Sequence, residues 1–295
     1  MIRNASLMMT ALFAGLLFTT AGRAAESVLD RVEKTGVLKA GTRETARPFA
    51  FRDASGKLAG FSVDLLSYIR EGLERELNRP VKLDLSVVTA DTRIDRVEDG
   101  SLDITCDIAS KTWVRDHRID FSLTFFFNGT RILTSRDIGL RGMDGLSGHK
   151  VGVVTNSSTI RVVERAAPNA TIVQFPDMGQ AMKAMEAGEV DGVSNISIVL
   201  RDLQRKAANP GQWLIIPRTG YLNREPMACI LPNNDSRWRD FVDHTIVRML
   251  NGIEDYRGVY YDTYQRWFGP NGELHYPLSR EAIAHFNEIR SWIDD

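Results

Sequence analysis

The chain has 295 residues, 43% of them hydrophobic, and its 37 basic residues nearly balance 38 acidic ones, for a formal charge of −1. That length allows one large domain or two medium ones, and the balance gives no electrostatic footprint for nucleic acid. No segment after the first thirty residues has the length or apolarity of a transmembrane helix, which disfavours a channel or receptor subunit.

The N-terminal stretch "MIRNASLMMTALFAGLLFTTAGRAAES" has Arg3, an apolar run from Leu7 to Phe18, then small residues. This is the layout of a secretory signal peptide over 1–24, with Gly22 and Ala24 suited to the cleavage positions. No cysteine follows the cleavage point, so the mature chain is expected to be exported, soluble and without a lipid anchor.

After the leader, short apolar runs alternate with amphipathic ones. "GVLKAG" (36–41) reads as a strand and "FSVDLLSYIREGLERELN" (61–78) as a helix, with apolar residues three and four apart. The strand "VKLDLSVV" (81–88), the helical "RIDRVEDG" (93–100) and the strand "LDITCDI" (102–108) complete a first series. A second runs through "KVGVVT" (150–155), "SSTIRVVERAAP" (157–168), "TIVQF" (171–175), "MGQAMKAMEAG" (178–188), "DGVSNI" (191–196) and "SIVLRDLQRKAAN" (197–209). Strand-like "WLIIP" (213–217) and "MACILP" (227–232) precede a helical tail from 236 onward. Strand–helix alternation predicts parallel α/β layers. The segments joining the two series, around 125–135 and 225–232, are extended and apolar rather than Gly/Ser-rich. They predict two hinge crossings between lobe 1 (25–128 plus 230–295) and lobe 2 (129–229), with a small-molecule cleft between them.

Chemistry-bearing motifs are few. There is no Gly-x-Ser-x-Gly elbow, phosphate loop or His-Glu-x-x-His. His117, His149, His244, His275 and His285 lack metal-ligand spacing, so no metal or cofactor is expected. Arginines fall at three successive strand ends: Arg43 after the first, Arg93 in the helix after the second, Arg115 after the third. Open sheets bind ligands beyond the carboxyl ends of their strands, and planar guanidiniums bind carboxylates bidentately. The three therefore point to one crevice for an anion. Ser157, Ser158 and Thr159 sit where a strand enters a helix; they can cap that helix and also help it receive an anion. Two cysteines remain, Cys106 and Cys229. An even count in an oxidising compartment favours a disulfide, worth roughly 4–5 kcal/mol over so long a loop in the chain-entropy model. Two buried free thiols are the alternative.

These pieces together resemble the periplasmic solute-binding proteins of polar amino-acid ABC transporters (family 3), nearest the glutamate/aspartate-binding branch. "GKLAGFSVDLLSYI", "VEDGSLDITCDIASKTWVRDHRIDFSLTFF" and "MKAMEAGEVDGV" are similar to that family's landmarks, and Cys106 and Cys229 fall where the branch carries a cysteine pair. The resemblance implies a two-lobed, type II periplasmic-binding-protein-like fold with a helical C-terminal tail. It also implies a monomeric, non-enzymatic binder that closes over a small anionic ligand and delivers it to a membrane ABC permease. It assigns the ligand α-carboxylate to Arg115 with Ser110 beside it, the second carboxylate to Arg43 and Arg93, and further carboxylate-binding hydroxyls to Ser158 and Thr159.

The departures from the pattern are specific. The family holds the ligand ammonium with an Asp after the "GEVDGV" strand; ungapped alignment puts Ile196 there. Met178 stands where the acidic branch has a His, and Ala90 where a hydroxyl is common. A buried ammonium without a carboxylate is costly, typically several kcal/mol. Either Asn195 or Ser197 accepts it after a one-residue shift, or the ligand is a dicarboxylate or 2-oxo acid without an amine. Relatives on this scaffold include dehydratases of cyclic acids, for which Glu44 is the one acid/base candidate in the cleft. A ligand-presenting signalling partner is a further alternative.

Overall fold

Apolar side chains at helical spacing and short β-branched runs set the elements of the chain. The computed structural model describes residues 26–140 and 142–291; the leader read over 1–24 lies outside them. Helix α1 (Val28–Thr35) is capped by the Ser27 side chain, which accepts from the Leu29 N–H, and ends on Gly36 in the left-handed region. Then follow β1 (Val37–Thr42), the short strands β2 (Thr45–Ala46), β3 (Ala50–Arg52) and β4 (Leu58–Ala59), and helix α2 (Phe61–Leu77). Strand β5 (Lys82–Val87), α3 (Thr92–Glu98), β6 (Ile104–Thr105), α4 (Trp113–Asp116) and β7 (Ile119–Ser135) come next. The chain continues through β8 (Lys150–Val154), α5 (Thr159–Ala166), β9 (Thr171–Phe175), α6 (Met178–Glu186), β10 (Gly192–Ile196) and α7 (Ser197–Lys206). Strands β11 (Trp213–Ile216) and β12 (Arg224–Pro232) precede the terminal helices α8 (Ser236–Leu250), α9 (Val259–Phe268) and α10 (Arg280–Ser291).

One sheet runs through the molecule in the order β5-β1-β6-β12-β7-β10-β8-β9, with β11 added on β7. Strand β1 is parallel to β5 and β6, and β8 is parallel to β9 and β10. The two strands that join the series run against them: β12 is antiparallel to β6 and β7, and β10 is antiparallel to β7. Strand β7 changes partners along its length. From Ile119 to Gly129 it pairs with β12, and from Thr130 to Thr134 with β10. At about 3.3 Å per residue its 17 residues reach some 55 Å, enough to carry the chain from one half of the sheet to the other. Gly129 sits where β7 changes partners; a Cβ there would lie 2.2 Å from the Tyr221 ring.

The larger core lies against the β5-β1-β6-β12 half. Helix α2 places Phe61, Leu65, Ile69 and Leu73 on one face, and they meet Trp238, Val242 and Ile246 of α8 and Tyr260, Tyr264 and Phe268 of α9. Fully burying side chains of this size contributes roughly 1.5–3 kcal/mol each. At its entry Gly60 has φ 134° and lies so close to the Phe49 carbonyl that a Cβ would come within 2.2 Å of its oxygen. The other half packs Met182 and Met185 of α6 and Leu200 of α7 on Leu133, Val193 and Trp213. Cys106 and Cys229 are joined in a disulfide, as the export argument favoured. It ties the end of β6 to the adjacent β12.

Candidate functional site

The loops after β1 and β6 converge because β1 and β6 are neighbours in register, Ala40 opposite Ile104 and Gly41 opposite Thr105. The Thr42 hydroxyl donates to the Cys106 carbonyl at 3.0 Å and fixes the two exits together. Asp107, fully buried, emerges from this point. Arg93, at the second position of α3 and 4% exposed, donates to Asp107 Oδ1 through Nη1 at 2.7 Å. Arg43, directly after β1, brings Nε to 3.6 Å from Asp107 Oδ2. The Arg43 and Arg93 Nε groups find no hydrogen-bond acceptor among the described residues. Burial lowers the Arg43 pKa, and the neighbouring Arg93 cation pushes the same way against the Asp107 anion.

Arg115 joins them from α4. The Thr112 side chain caps that single turn by accepting from the Arg115 N–H, so the guanidinium folds back and donates from Nη1 to the Ser110 carbonyl at 2.9 Å. Burial, then Arg93, bring the Arg115 pKa down to about 10, so it remains a cation at neutral pH. The three arginines read from strand ends thus lie in one electrostatic cluster around Asp107.

Ser110 links this cluster to the other half of the sheet. Its hydroxyl donates to Glu225 of β12 and accepts from the Ser158 hydroxyl at 3.3 Å. Ser158 precedes α5 without capping it, and Thr159, the first residue of that helix, is buried. The Ser157 hydroxyl is buried and unpartnered among the described residues. Asn156, in the left-handed region at φ 58°, donates across to Asp91 Oδ1 at 2.9 Å. Four of the residues read from the sequence as ligand-binding, Arg43, Arg93, Ser110 and Arg115, therefore stand together, with Ser158 in contact and Thr159 next to it in the chain.

Two others stand elsewhere in their surroundings. Met178 opens α6 and packs on the core of the second half with Ala181 and Val193. Ile196, 4% exposed, ends β10 directly opposite Thr130 and lies in the larger core. Glu44 takes Arg52 as its partner (Oε2 to Nε, 2.6 Å) and is no member of the arginine cluster.

Sequence reasoning missed two carboxylates. Asp107 carried a usable signal, an acid at the end of a strand flanked by arginines at neighbouring strand ends. Glu225, 3% exposed, accepts from the hydroxyls of Ser110 and Thr130, 115 and 95 residues away, which no local spacing reveals.

Comparison with known proteins agrees with this architecture. The chain is 28% identical over 295 residues, covering 96% of it and 95% of the relative, to the glutamate/aspartate import solute-binding protein of Escherichia coli K12. It is 27% identical, covering 94% and 93%, to the L-glutamate/L-aspartate-binding protein of Pseudomonas aeruginosa. Among solved structures, an ancestral arginine-binding protein bound to glutamine superposes with a TM-score of 0.67 at 26% identity, over 79% of this chain and 98% of that one. An ancestral amino acid-binding protein, a precursor of cyclohexadienyl dehydratase, shares the fold with a TM-score of 0.70 at 23% identity, over 82% and 100%. No helix of the described residues is long and apolar enough to cross a membrane. The family model for bacterial extracellular solute-binding proteins, family 3, matches residues 38–270, and the chain belongs to that family.

Proposed function

We propose that this protein is the exported, periplasmic binding component of an ABC importer, that its cargo is an acidic amino acid, and that it delivers that cargo as a monomer to a membrane permease without chemical change. Arg115, with Ser110, takes the α-carboxylate. Arg43 and Arg93 take the second carboxylate, and Ser158 and Thr159 complete the cage from the other side. The halves move as lobes, 25–128 plus 230–295 against 129–229, about the β7 and β12 crossings, and the ligand drives closure to the extent that the closed form binds it better.

The observation that carries this reading is the cluster itself: the Arg43 and Arg93 guanidiniums on one buried carboxylate, Arg115 near enough to feel all three charges, and buried Nε donors left over on Arg43 and Arg93. Such an excess of fixed donors suits a small anion with more than one carboxylate. The named relatives from Escherichia coli and Pseudomonas aeruginosa point to the same ligand class.

A thermal-shift screen of the mature chain against L-glutamate, L-aspartate, glutamine, 2-oxoglutarate, succinate and malate tests it. A ligand at a hundred times its Kd adds about 2.7 kcal/mol of stability. L-glutamate or L-aspartate should give the largest shift, Arg115→Ala should abolish it, and Arg43→Ala should weaken the acidic ligands more than glutamine. A panel in which glutamine alone shifts the melt rejects the acidic cargo, and equal loss of all ligands in Arg43→Ala rejects its assigned role.

A further inference from the structure

The anion-binding reading leaves Glu225 without a task. Its carboxylate is buried, its hydrogen bonds among the described residues come from two hydroxyls, Ser110 and Thr130, and the Arg115 cation acts on it through space without a direct ion pair. A buried carboxylate is costly unless paired, and two hydroxyls fill only about half of its acceptor sites. Its position is informative. Thr130 is the register partner of Ile196, the residue that stands where a carboxylate for the ligand ammonium was expected. Strands β12, β7 and β10 are consecutive in the sheet, so Glu225 reaches from one side of β7 to the residue that faces Ile196 from the other. The same carboxylate receives Ser110, whose carbonyl holds Arg115. Asn195, the neighbouring candidate, spends its Oδ1 on the Ile196 N–H at 2.8 Å.

We propose that Glu225 receives the α-ammonium of the ligand, in place of a side chain at position 196, and so selects acidic amino acids over the same diacids lacking an amine. This rests on the anionic-ligand reading above. The charges agree with it. Arg43, Arg93 and Arg115 against Asp107 and Glu225 leave one positive charge, which the net −1 of an acidic amino acid neutralises and the −2 of a diacid overshoots.

Calorimetric titration of the mature chain with L-glutamate against glutarate, and L-aspartate against succinate, isolates the ammonium, since each pair shares its dicarboxylate skeleton. The wild type should prefer each amino acid by roughly 30-fold or more, the penalty of leaving a buried charge unpaired. Glu225→Gln should shrink that preference to within a few-fold by weakening the amino acids and leaving the diacids unchanged or tighter. Equal affinity for both members of a pair in the wild type overturns the proposal. So does an unchanged preference in a folded Glu225→Gln, or an equal loss of both ligand types, which is what a purely structural clamp on Ser110 and Thr130 would give. If Glu225→Gln does not fold, Glu225→Asp keeps the charge but shortens the reach; it should lower the preference several-fold, and an unaltered preference again overturns the assignment. A wild type that binds none of the four ligands rejects the acidic-cargo reading itself, whereas binding without the predicted preference removes only the role of Glu225.

Discussion

The two sides of the site follow opposite electrostatic plans. On the side built from β1, α3, β6 and α4, Arg43 and Arg93 pair with a fully buried Asp107, Arg115 stands within reach of their charges, and the Arg93 ion pair is itself almost inaccessible to water. On the other side Ser157, Ser158 and Thr159 offer hydroxyls and the start of α5, and the hydrogen bonds that join them to the charged side are long or exposed: Ser158 to Ser110 at 3.3 Å and Asn156 to Asp91 at 2.9 Å. The difference teaches a division of labour. Orienting dipoles and charges is costly when it happens on binding, and the charged side has it done at folding. The Ser158 and Asn156 bonds that reach across from the neutral side are worth about 1 kcal/mol each, so the proposed closing motion can make and break them at little cost.

The sharpest way to break this comparison is Asp107→Asn. Removing the carboxylate that Arg43 and Arg93 share leaves two buried guanidiniums without that counter-charge, and breaking such a pair typically costs about 3–5 kcal/mol. Urea unfolding should show that loss; a change under about 1 kcal/mol would mean the charged side is not preorganised by Asp107. Next in size is the disulfide one residue earlier. The double variant Cys106→Ala/Cys229→Ala should lose roughly 2–4 kcal/mol, the usual range for a disulfide and below the chain-entropy figure because the reduced, unfolded chain keeps some structure. Because the bridge ties β6 to β12, amide exchange should accelerate in those strands and remain slow in β8 and β9. Uniform acceleration across both halves would show that the two sides do not open independently.

What the sequence disclosed follows the range of the interactions. Helices α2 and α8 were legible because their apolar residues recur three and four apart over more than three turns. The strand–helix alternation and the arginines at three strand ends were legible for the same local reason. Length decided the failures. The β2–β3–β4 sheet has strands of two or three residues, too short for a period to register. The strand expected over 102–108 pairs only at Ile104–Thr105, since the chain must leave the sheet at Cys106 to present Asp107 and Ser110. Strand β7 begins at Ile119, six residues before the expected extended segment, and its buried polar Ser122 donates to the Leu123 carbonyl rather than marking a turn. Glu225 was invisible because its meaning comes from Thr130 and Ser110, brought to it by sheet order alone.

The smallest effect is the one that sharpens the account of the neutral side. Asp91→Ala removes the acceptor of the Asn156 amide and leaves the left-handed backbone of Asn156 undisturbed, and both residues are exposed. Asp91 precedes α3 without capping it, so the variant costs that helix no hydrogen bond. Folding stability should stay within about 0.5 kcal/mol of the wild type. Ligand affinity, measured by calorimetry, should fall about two- to fivefold, the worth of one exposed hydrogen bond made only when the sides meet. A loss of affinity with an unchanged melt assigns the bond to closure. A loss of both assigns it to the static fold, and the two sides would then be one rigid wall instead of a fixed cationic seat and a mobile neutral cover.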